Sequence, residues 1–306
     1  MSGAELPLVS ILLPTHNRPD YAEQALRSAL AQSYPALEIV VSDNSDDERT
    51  RERLAPYLAQ HPRLRYQRIA SCPPLENFQH CYGRADGEYV NFLMDDDLLH
   101  PAKIARMMAV MLDQPGVGVV TSSRQLIDAQ GQPIAAPDHL APLFQVDTHV
   151  SGQSLGAHMA GGAGNVLGEP TTALYRKAAA GPRFGMYMGH QYAVLSDMAT
   201  WLTILREQDC VYLCEPLSYF RIHAEQDQRV PRTQLRGHFE SLELACDVWQ
   251  QDYFLPRDQR LRQQLSERLA QSAMLLDSAH DLLRDPLFDH ARIADSMQRA
   301  ARLLLD

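Results

Sequence analysis

Apolar residues in the first 125 positions fall into short continuous runs separated by stretches of helical period. The runs at 9–13, 38–42, 89–94 and 117–121 carry apolar residues at successive positions, as strands buried on both faces do. The stretch 64–69 alternates and reads as a further strand. Between these runs, Pro19 opens a helix with Ala22, Leu26, Ala29 and Leu30 on one face. Ser45 followed by Glu48 has the spacing of a capping box and predicts a helix start there. Residues 77–85 read as helix. Pro101 begins another, in which Ile104, Met107, Met108, Met111 and Leu112 share a face. This alternation predicts an α/β fold: a mainly parallel, Rossmann-like sheet flanked by helices on both faces.

The middle of the chain is less regular. Residues 128–150 are rich in Gly, Pro, Asp and His and read as loop with a hairpin. Gly161 to Gly164 form a flexible turn, and 170–175 read as a strand. Ser196 is placed to cap a helix over 197–208, and 211–214 and 217–222 read as two strands around Pro216. Beyond Pro231 strand signals vanish. Helices are expected at 233–252, 257–284 and 290–304, the second with an apolar stripe of Leu261, Leu265, Leu269, Ala273 and Leu276. The expected organisation is an α/β domain over 1–230 and an all-helical appendage over 231–306. That appendage packs on the core or on a second subunit, which makes a homo-oligomer one consequence. Its polar face lacks the basic excess of a lipid-binding surface.

Composition narrows the choice. The 306 residues are 45% hydrophobic and 22% charged, an ordinary globular balance. A net charge of −10 argues against nucleic acid as the main partner. The five cysteines, Cys72, Cys81, Cys210, Cys214 and Cys246, are scattered and odd in number, which favours reduced thiols over a zinc site. The first seven residues show no basic, apolar leader, and no run of about 18 apolar residues exists to span a membrane. The expectation is a cytoplasmic protein, with peripheral contact to the inner membrane face as an option.

Three polar clusters end three of the strands: Pro14, Thr15, His16, Asn17 and Arg18 after the first, Asp43, Asn44 and Ser45 after the second, and Asp95, Asp96 and Asp97 after the fourth. In open parallel sheets ligands bind outside the carboxyl ends of strands. Three adjacent carboxylates repel one another unless a cation neutralises them. Mg²⁺ or Mn²⁺ with the phosphates of a ligand is the natural one. Arg18 suits a phosphate, and Asp43 can accept from a base N–H. The Gly-rich loop of a dinucleotide site is missing.

The segments VSILLPTHNR at 9–18, IVVSDNS at 39–45, GEYVNFLMDDD at 87–97, Ser196–Asp197 and YFRIH at 219–223 together resemble the inverting family 2 glycosyltransferases of the GT-A fold. The resemblance covers roughly 8–224. It implies sugar transfer from a nucleotide diphosphate donor, UDP- or dTDP-linked, to a glycan or lipid-linked acceptor, with a divalent metal (Mn²⁺ or Mg²⁺). Carried over by residue, Pro14, Thr15, Asn17 and Arg18 line the nucleotide, Asp43 binds the base and Asp95 touches the ribose. The metal falls to Asp96 or Asp97, with Asp96 ranked first, because Met94 stands where the family usually has its first carboxylate. Asp97 is alternatively a helix cap near Pro101.

The resemblance also makes Asp197 the general base that deprotonates the acceptor hydroxyl. An acid in a first helical turn can instead simply favour the dipole. His223 is a candidate metal or diphosphate contact, Arg221 a diphosphate contact, and Glu169 a candidate for the acceptor pocket. His16, His80 and His190 show no partner pattern, and Trp201 and Trp249 read as packing residues. Two alternatives stand: a nucleotidyltransferase, and a degenerate, non-catalytic binding subunit.

Overall fold

The computed structural model describes residues 5–137, 141–224, 230–286 and 288–305. The start of the N-terminal segment read for a leader, 1–4, and part of the loop at 128–150, 138–140, lie outside the described residues. In chain order the elements are β1 (Val9–Thr15), α1 (Pro19–Leu30), β2 (Leu37–Asp43), α2 (Arg49–Leu58), β3 (Leu64–Arg68), α3 (Pro74–Gly83), β4 (Tyr89–Phe92), β5 (Leu98–Leu99), α4 (Lys103–Asp113) and β6 (Val117–Ile127). Then follow β7 (Pro133–Ile134), β8 (Thr148–Val150), α5 (Gly152–His158), β9 (Leu174–Arg176), α6 (Lys177–Ala180), β10 (Met186–Tyr187), β11 (His190–Gln191), α7 (Ser196–Leu205) and β12 (Asp209–Arg221). Three helices close the described chain: α8 (Pro231–Gln251), α9 (Gln259–Ser278) and α10 (His290–Leu305).

The main sheet runs β3-β2-β1-β4-β9-β6-β12-β5. β3, β2, β1 and β4 are parallel neighbours, and so are β6 and β12. β9 runs antiparallel between β4 and β6. The mainly parallel α/β sheet of the sequence reading is therefore present, with one reversed strand near its middle. All seven residues of β1 are buried, since helices cover both faces. Each such apolar side chain contributes about 1.5–3 kcal/mol on burial.

Several local expectations change. The helix expected after Ser45 starts at Arg49 and has no side-chain cap. Ser45 Oγ instead accepts from Asn17 N at 2.7 Å, so it ties two loops together rather than capping. The run at 170–175 is a 3₁₀ turn over Pro170–Thr172 followed by β9. The strand at 117–121 extends to Ile127, and Asp209–Arg221 form one long strand with irregular register around Pro216 rather than two. Leu112 is 48% exposed, and Lys103 takes a buried place on α4. Ser196 caps nothing, because α7 begins with Ser196 itself, and the helix stops at Leu205. Cys214 is only half-buried, whereas Cys81, Cys210 and Cys246 are core thiols.

In the C-terminal helices the stripe rotates. Leu261 and Leu265 are buried, but Ala273 and Leu276 are exposed, and Ser272 faces inward. Steps of four residues overrun the 3.6-residue turn, so a line drawn along 261, 265, 269 and 273 drifts off the buried face. The second helix ends at Ser278, and a 3₁₀ turn occupies Leu282–Arg284. These helices have apolar clusters of their own, yet Leu244 and Val248 of α8 join the cluster that holds Trp201, Phe92 and Tyr192.

Candidate active site

The carboxyl ends of β1, β2 and β4 bring the three polar clusters to one edge, with Thr15 and Asp43 paired in register. Pro14 is buried within β1, which continues through it to Thr15. Thr15 Oγ1 donates to Asp95 Oδ2 at 2.9 Å, and the His16 amide donates to the same oxygen at 3.3 Å. Asn17 adopts φ of 56°, a left-handed turn that Asn tolerates better than most residues. Its side chain exchanges two hydrogen bonds with Asp46, at 2.7 and 3.0 Å. His16 Nδ1 lies 3.0 Å from Asn44 O, so this histidine braces the loop instead of being idle. Asp43 is fully buried and accepts from the Tyr66 hydroxyl at 2.6 Å and from Ser45 N at 2.9 Å.

Asp95, Asp96 and Asp97 have three different surroundings. Asp95 is buried and faces Arg18 Nη1 at 3.2 Å. Burial, then the charge of Asp96, pushes its carboxyl up to about 6, against the pull of Arg18. Asp96 is partly exposed. Its Oδ2 lies 3.2 Å from Arg18 Nη1 and 3.0 Å from His223 Nε2. Asp97 is buried, and each of its oxygens accepts a protein hydrogen bond: Thr171 Oγ1 at 2.6 Å and the Arg221 amide at 3.1 Å. Burial holds Asp97 well above the usual carboxylate range. The two differ in place: Asp96 is partly exposed, and Asp97 anchors the loop to Thr171 and β12.

Arg221 is fully buried. Its guanidinium donates to the Asp96, Asp128 and Ala129 carbonyls and to Gln24 Oε1, and it lies over the Tyr21 ring at 4.7 Å. The diphosphate contact expected of it is not where this side chain sits. It clamps the backbone under Asp96. His223 packs on the same Tyr21 ring, 5.3 Å away between centroids.

Asp197 lies in the first turn of α7. Its Oδ2 accepts from Asn165 Nδ2 at 2.7 Å and its Oδ1 from the Met198 amide at 2.7 Å. Burial pushes its carboxyl up to about 6. Glu169 pairs with Arg124 at 3.3 Å, and burial raises its carboxyl too. The preceding Gly168 has φ of 94°, and a Cβ there would meet Arg124 Nη1 at 2.7 Å, so only glycine lets the pair close. The charge of Glu169 is felt by Asp97 and by Asp197, which makes it the electrostatic link between the two sides.

Five contributors escaped the sequence reading. Thr171 and Asn165 sit in turns without a motif, and Arg124 lies mid-strand. Glu240 of α8, itself buried, accepts the amides of Ala193, Val194 and Leu195 at 2.8–3.1 Å and so holds the entry to α7. Lys103 is fully buried, donates to Thr172 O at 2.7 Å and is pulled down to about 7 by burial. Its place four residues before Met107, on the apolar face of α4, was the one readable signal. His190, also read as idle, contacts Asp247 of α8 at 2.9 Å.

The family model described as Glycosyl transferase family 2 matches residues 10–166, which is just over half of the chain. An uncharacterized glycosyltransferase of Rickettsia conorii is 34% identical over 147 residues, covering 46% of this chain and 24% of that protein. The chain thus matches about a quarter of the length of this relative. The putative teichuronic acid biosynthesis glycosyltransferase TuaG of Bacillus subtilis is 24% identical over 71% of this chain and 79% of its own length. In Campylobacter jejuni, a GalNAc(5)-diNAcBac-PP-undecaprenol beta-1,3-glucosyltransferase is 30% identical over 34% of each chain. Among solved structures, S. aureus TarS 1-349 in complex with UDP-GlcNAc has a TM-score of 0.64 at 17% identity, over 97% of this chain and 81% of that one. That likeness gives the fold as GT-A type. On the matched half and the shared fold, the chain belongs to the family 2 glycosyl transferases.

Proposed function

We propose that the protein is an inverting, metal-assisted glycosyltransferase that moves a sugar from a UDP- or dTDP-linked donor to a glycan or lipid-linked acceptor. The observation that carries this reading is Asp96, partly exposed beside Arg18 and His223, together with Asp197, a buried carboxyl pushed up to about 6, both within reach of the Glu169 charge. The TarS complexes with UDP and UDP-GlcNAc support the donor class, and the undecaprenol-linked and teichuronic acid relatives support the acceptor class.

The donor set at Asp96 fits a divalent metal. One carboxylate oxygen and one imidazole nitrogen, 3.0 Å apart, suit Mn²⁺, with diphosphate oxygens and water completing the shell. Among the described residues no three His, Cys, Asp or Glu side chains converge, so a metal held here would need oxygen ligands from the donor or water. When bound, the metal supplies Lewis-acid neutralisation of the leaving diphosphate. Arg18 adds a fixed positive charge at the same place. Asp197 accepts the proton of the acceptor hydroxyl while the acceptor oxygen bonds to the anomeric carbon. The bond from that carbon to the diphosphate oxygen breaks on the opposite face, its electron pair leaving with the nucleoside diphosphate. A base with its pKa near the working pH suits this transfer.

Family membership leaves nothing to favour nucleotidyl transfer, and the raised Asp197 carboxyl speaks for an active rather than a degenerate site. The test is a panel of nucleotide sugars incubated with the protein and Mn²⁺, with nucleoside diphosphate release as the readout. Release from a UDP- or dTDP-sugar, abolished by EDTA, is expected. No release and no thermal stabilisation by any nucleoside diphosphate contradicts the reading.

A further inference from the structure

A cavity of about 190 Å³ opens beside β6 and β12, next to the Asp197 side of the cleft. Ser122, Ser123 and Arg124 of β6 line it, with Asn165, Leu143 and Tyr212. Three successive residues of a flat strand point to alternate faces, so their presence in one cavity needs an irregular strand. The register between β12 and β6 shifts at this point, where Leu213 faces Ser122, Pro216 faces Ser123 and Ser218 faces Arg124. Such bulges re-aim side chains and recur beside functional sites.

The hydrogen-bonding inventory of the lining is incomplete without a ligand. Arg124 Nε and Asn165 Oδ1 are buried and have no partner among the described residues. The orientation of the Asn165 amide is fixed, because its Nδ2 donates to Gly168 O at 2.8 Å and to Asp197 Oδ2 at 2.7 Å, both acceptors only. Its carbonyl oxygen therefore remains as an acceptor. Tyr212 Oη accepts from the Leu143 amide at 3.2 Å and keeps its own proton to donate. A ligand hydroxyl both donates and accepts, so one class of group completes all three residues. Arg124 is the charged residue of this lining, and Glu169 at 3.3 Å neutralises it. The cavity thus offers directional hydrogen bonds without a net positive charge.

Resting on the transfer reading above, we infer that this cavity receives a neutral sugar ring of the acceptor, and that it disfavours uronate and phosphorylated sugars. Asn165 bridges the ring to the base: one end of its amide faces Asp197 and the other completes the sugar's hydrogen bonds. The acceptor phosphate of a lipid-linked substrate lies outside this cavity.

The test uses the full chain and simple probes: methyl β-glucoside, methyl β-galactoside and methyl N-acetyl-β-glucosaminide against methyl glucuronide and glucose 6-phosphate, each titrated by ligand-observed NMR, with UDP titrated in parallel. At least one neutral glycoside binds, and the charged sugars bind about tenfold more weakly or worse, the scale of one unpaired buried charge or hydrogen bond. Ala163 lines the cavity but is exposed, so Ala163→Trp blocks it without disturbing the core. This variant loses glycoside binding by about tenfold or more and keeps UDP affinity. Tyr212→Phe removes the hydroxyl that keeps its proton to donate and weakens the glycoside by a few-fold, about one neutral hydrogen bond.

Failure of every neutral glycoside to bind overturns the inference. So does equal or tighter binding of the charged sugars, or an Ala163→Trp variant that binds glycoside as the wild type does. Competition between glycoside and UDP-sugar, but not UDP, assigns the cavity to the donor sugar and overturns the acceptor reading. If UDP fails to bind while the glycoside pattern holds, the transfer reading fails and the cavity remains a neutral-sugar site.

Discussion

The two walls of the cleft are built differently. The wall formed by the ends of β1, β2 and β4 is made of residues adjacent in sequence, on parallel strands whose register alone aligns Thr15, Asp43 and the acid triplet. The opposite wall collects Arg124, Asn165, Glu169, Thr171 and Asp197 from turns, the strand β6 and the start of a helix. It is fixed in part from outside, by Glu240 of α8. The first wall can be read from motifs because local chemistry and local backbone coincide there. The second depends on contacts between residues 32 or more positions apart, which no local pattern records.

The comparison is broken most directly at Asp197. Asp197→Asn should lower turnover by about 10²- to 10⁴-fold, the usual worth of a general base, while UDP affinity stays unchanged. Undiminished turnover would remove the base from this wall.

Next in size is Glu240→Ala. It strips the carboxylate from three amides at the entry to α7. An unsatisfied buried group costs about 1–3 kcal/mol, so urea unfolding should show a loss of about that amount or more. Turnover should fall further than UDP affinity, since the donor wall is untouched. Equal losses in both would mean that the two walls are not separable.

A smaller effect is the pH profile. With the Asp197 carboxyl at about 6, the ionised base forms as pH rises through that value. Turnover under saturating substrates should climb tenfold per pH unit below it and level off above. A flat profile between pH 5 and 7, in roughly that window, would contradict the assignment. Smallest is Leu112→Glu on α4: the side chain is half exposed, and the change in stability should stay within about 0.5 kcal/mol. A large loss there would restore the sequence reading that placed Leu112 in the core.

The same contrast explains what was legible. β1 and β2 were readable because both faces are buried, which leaves unbroken apolar runs. Helix α1 announced itself through Pro19. Ser45 misled because its hydroxyl serves Asn17 in the neighbouring loop rather than its own helix. Ser196 misled in the same way, since the amides ahead of α7 are taken by a carboxylate about 45 residues downstream. Leu276 and Ala273 were misplaced by a four-residue spacing applied over too many turns. At the site, the three Asp residues were visible as a cluster, but their division of labour was not. It arises from Thr171, Arg221 and His223, whose contacts with the triplet span 74 to 127 positions. Arg221 looked like a phosphate ligand by type, and only its burial reveals a structural clamp.

The central claim is that Asp96, among the three acids, is the one that would hold the donor's metal. Calorimetric titration of UDP with and without Mn²⁺, in wild type and in Asp96→Ala, tests it most directly. The account predicts that Mn²⁺ tightens UDP binding by about tenfold or more in the wild type, about 1.4 kcal/mol, and has no effect in the variant. UDP affinity that ignores Mn²⁺, or a metal effect that survives Asp96→Ala, would contradict it.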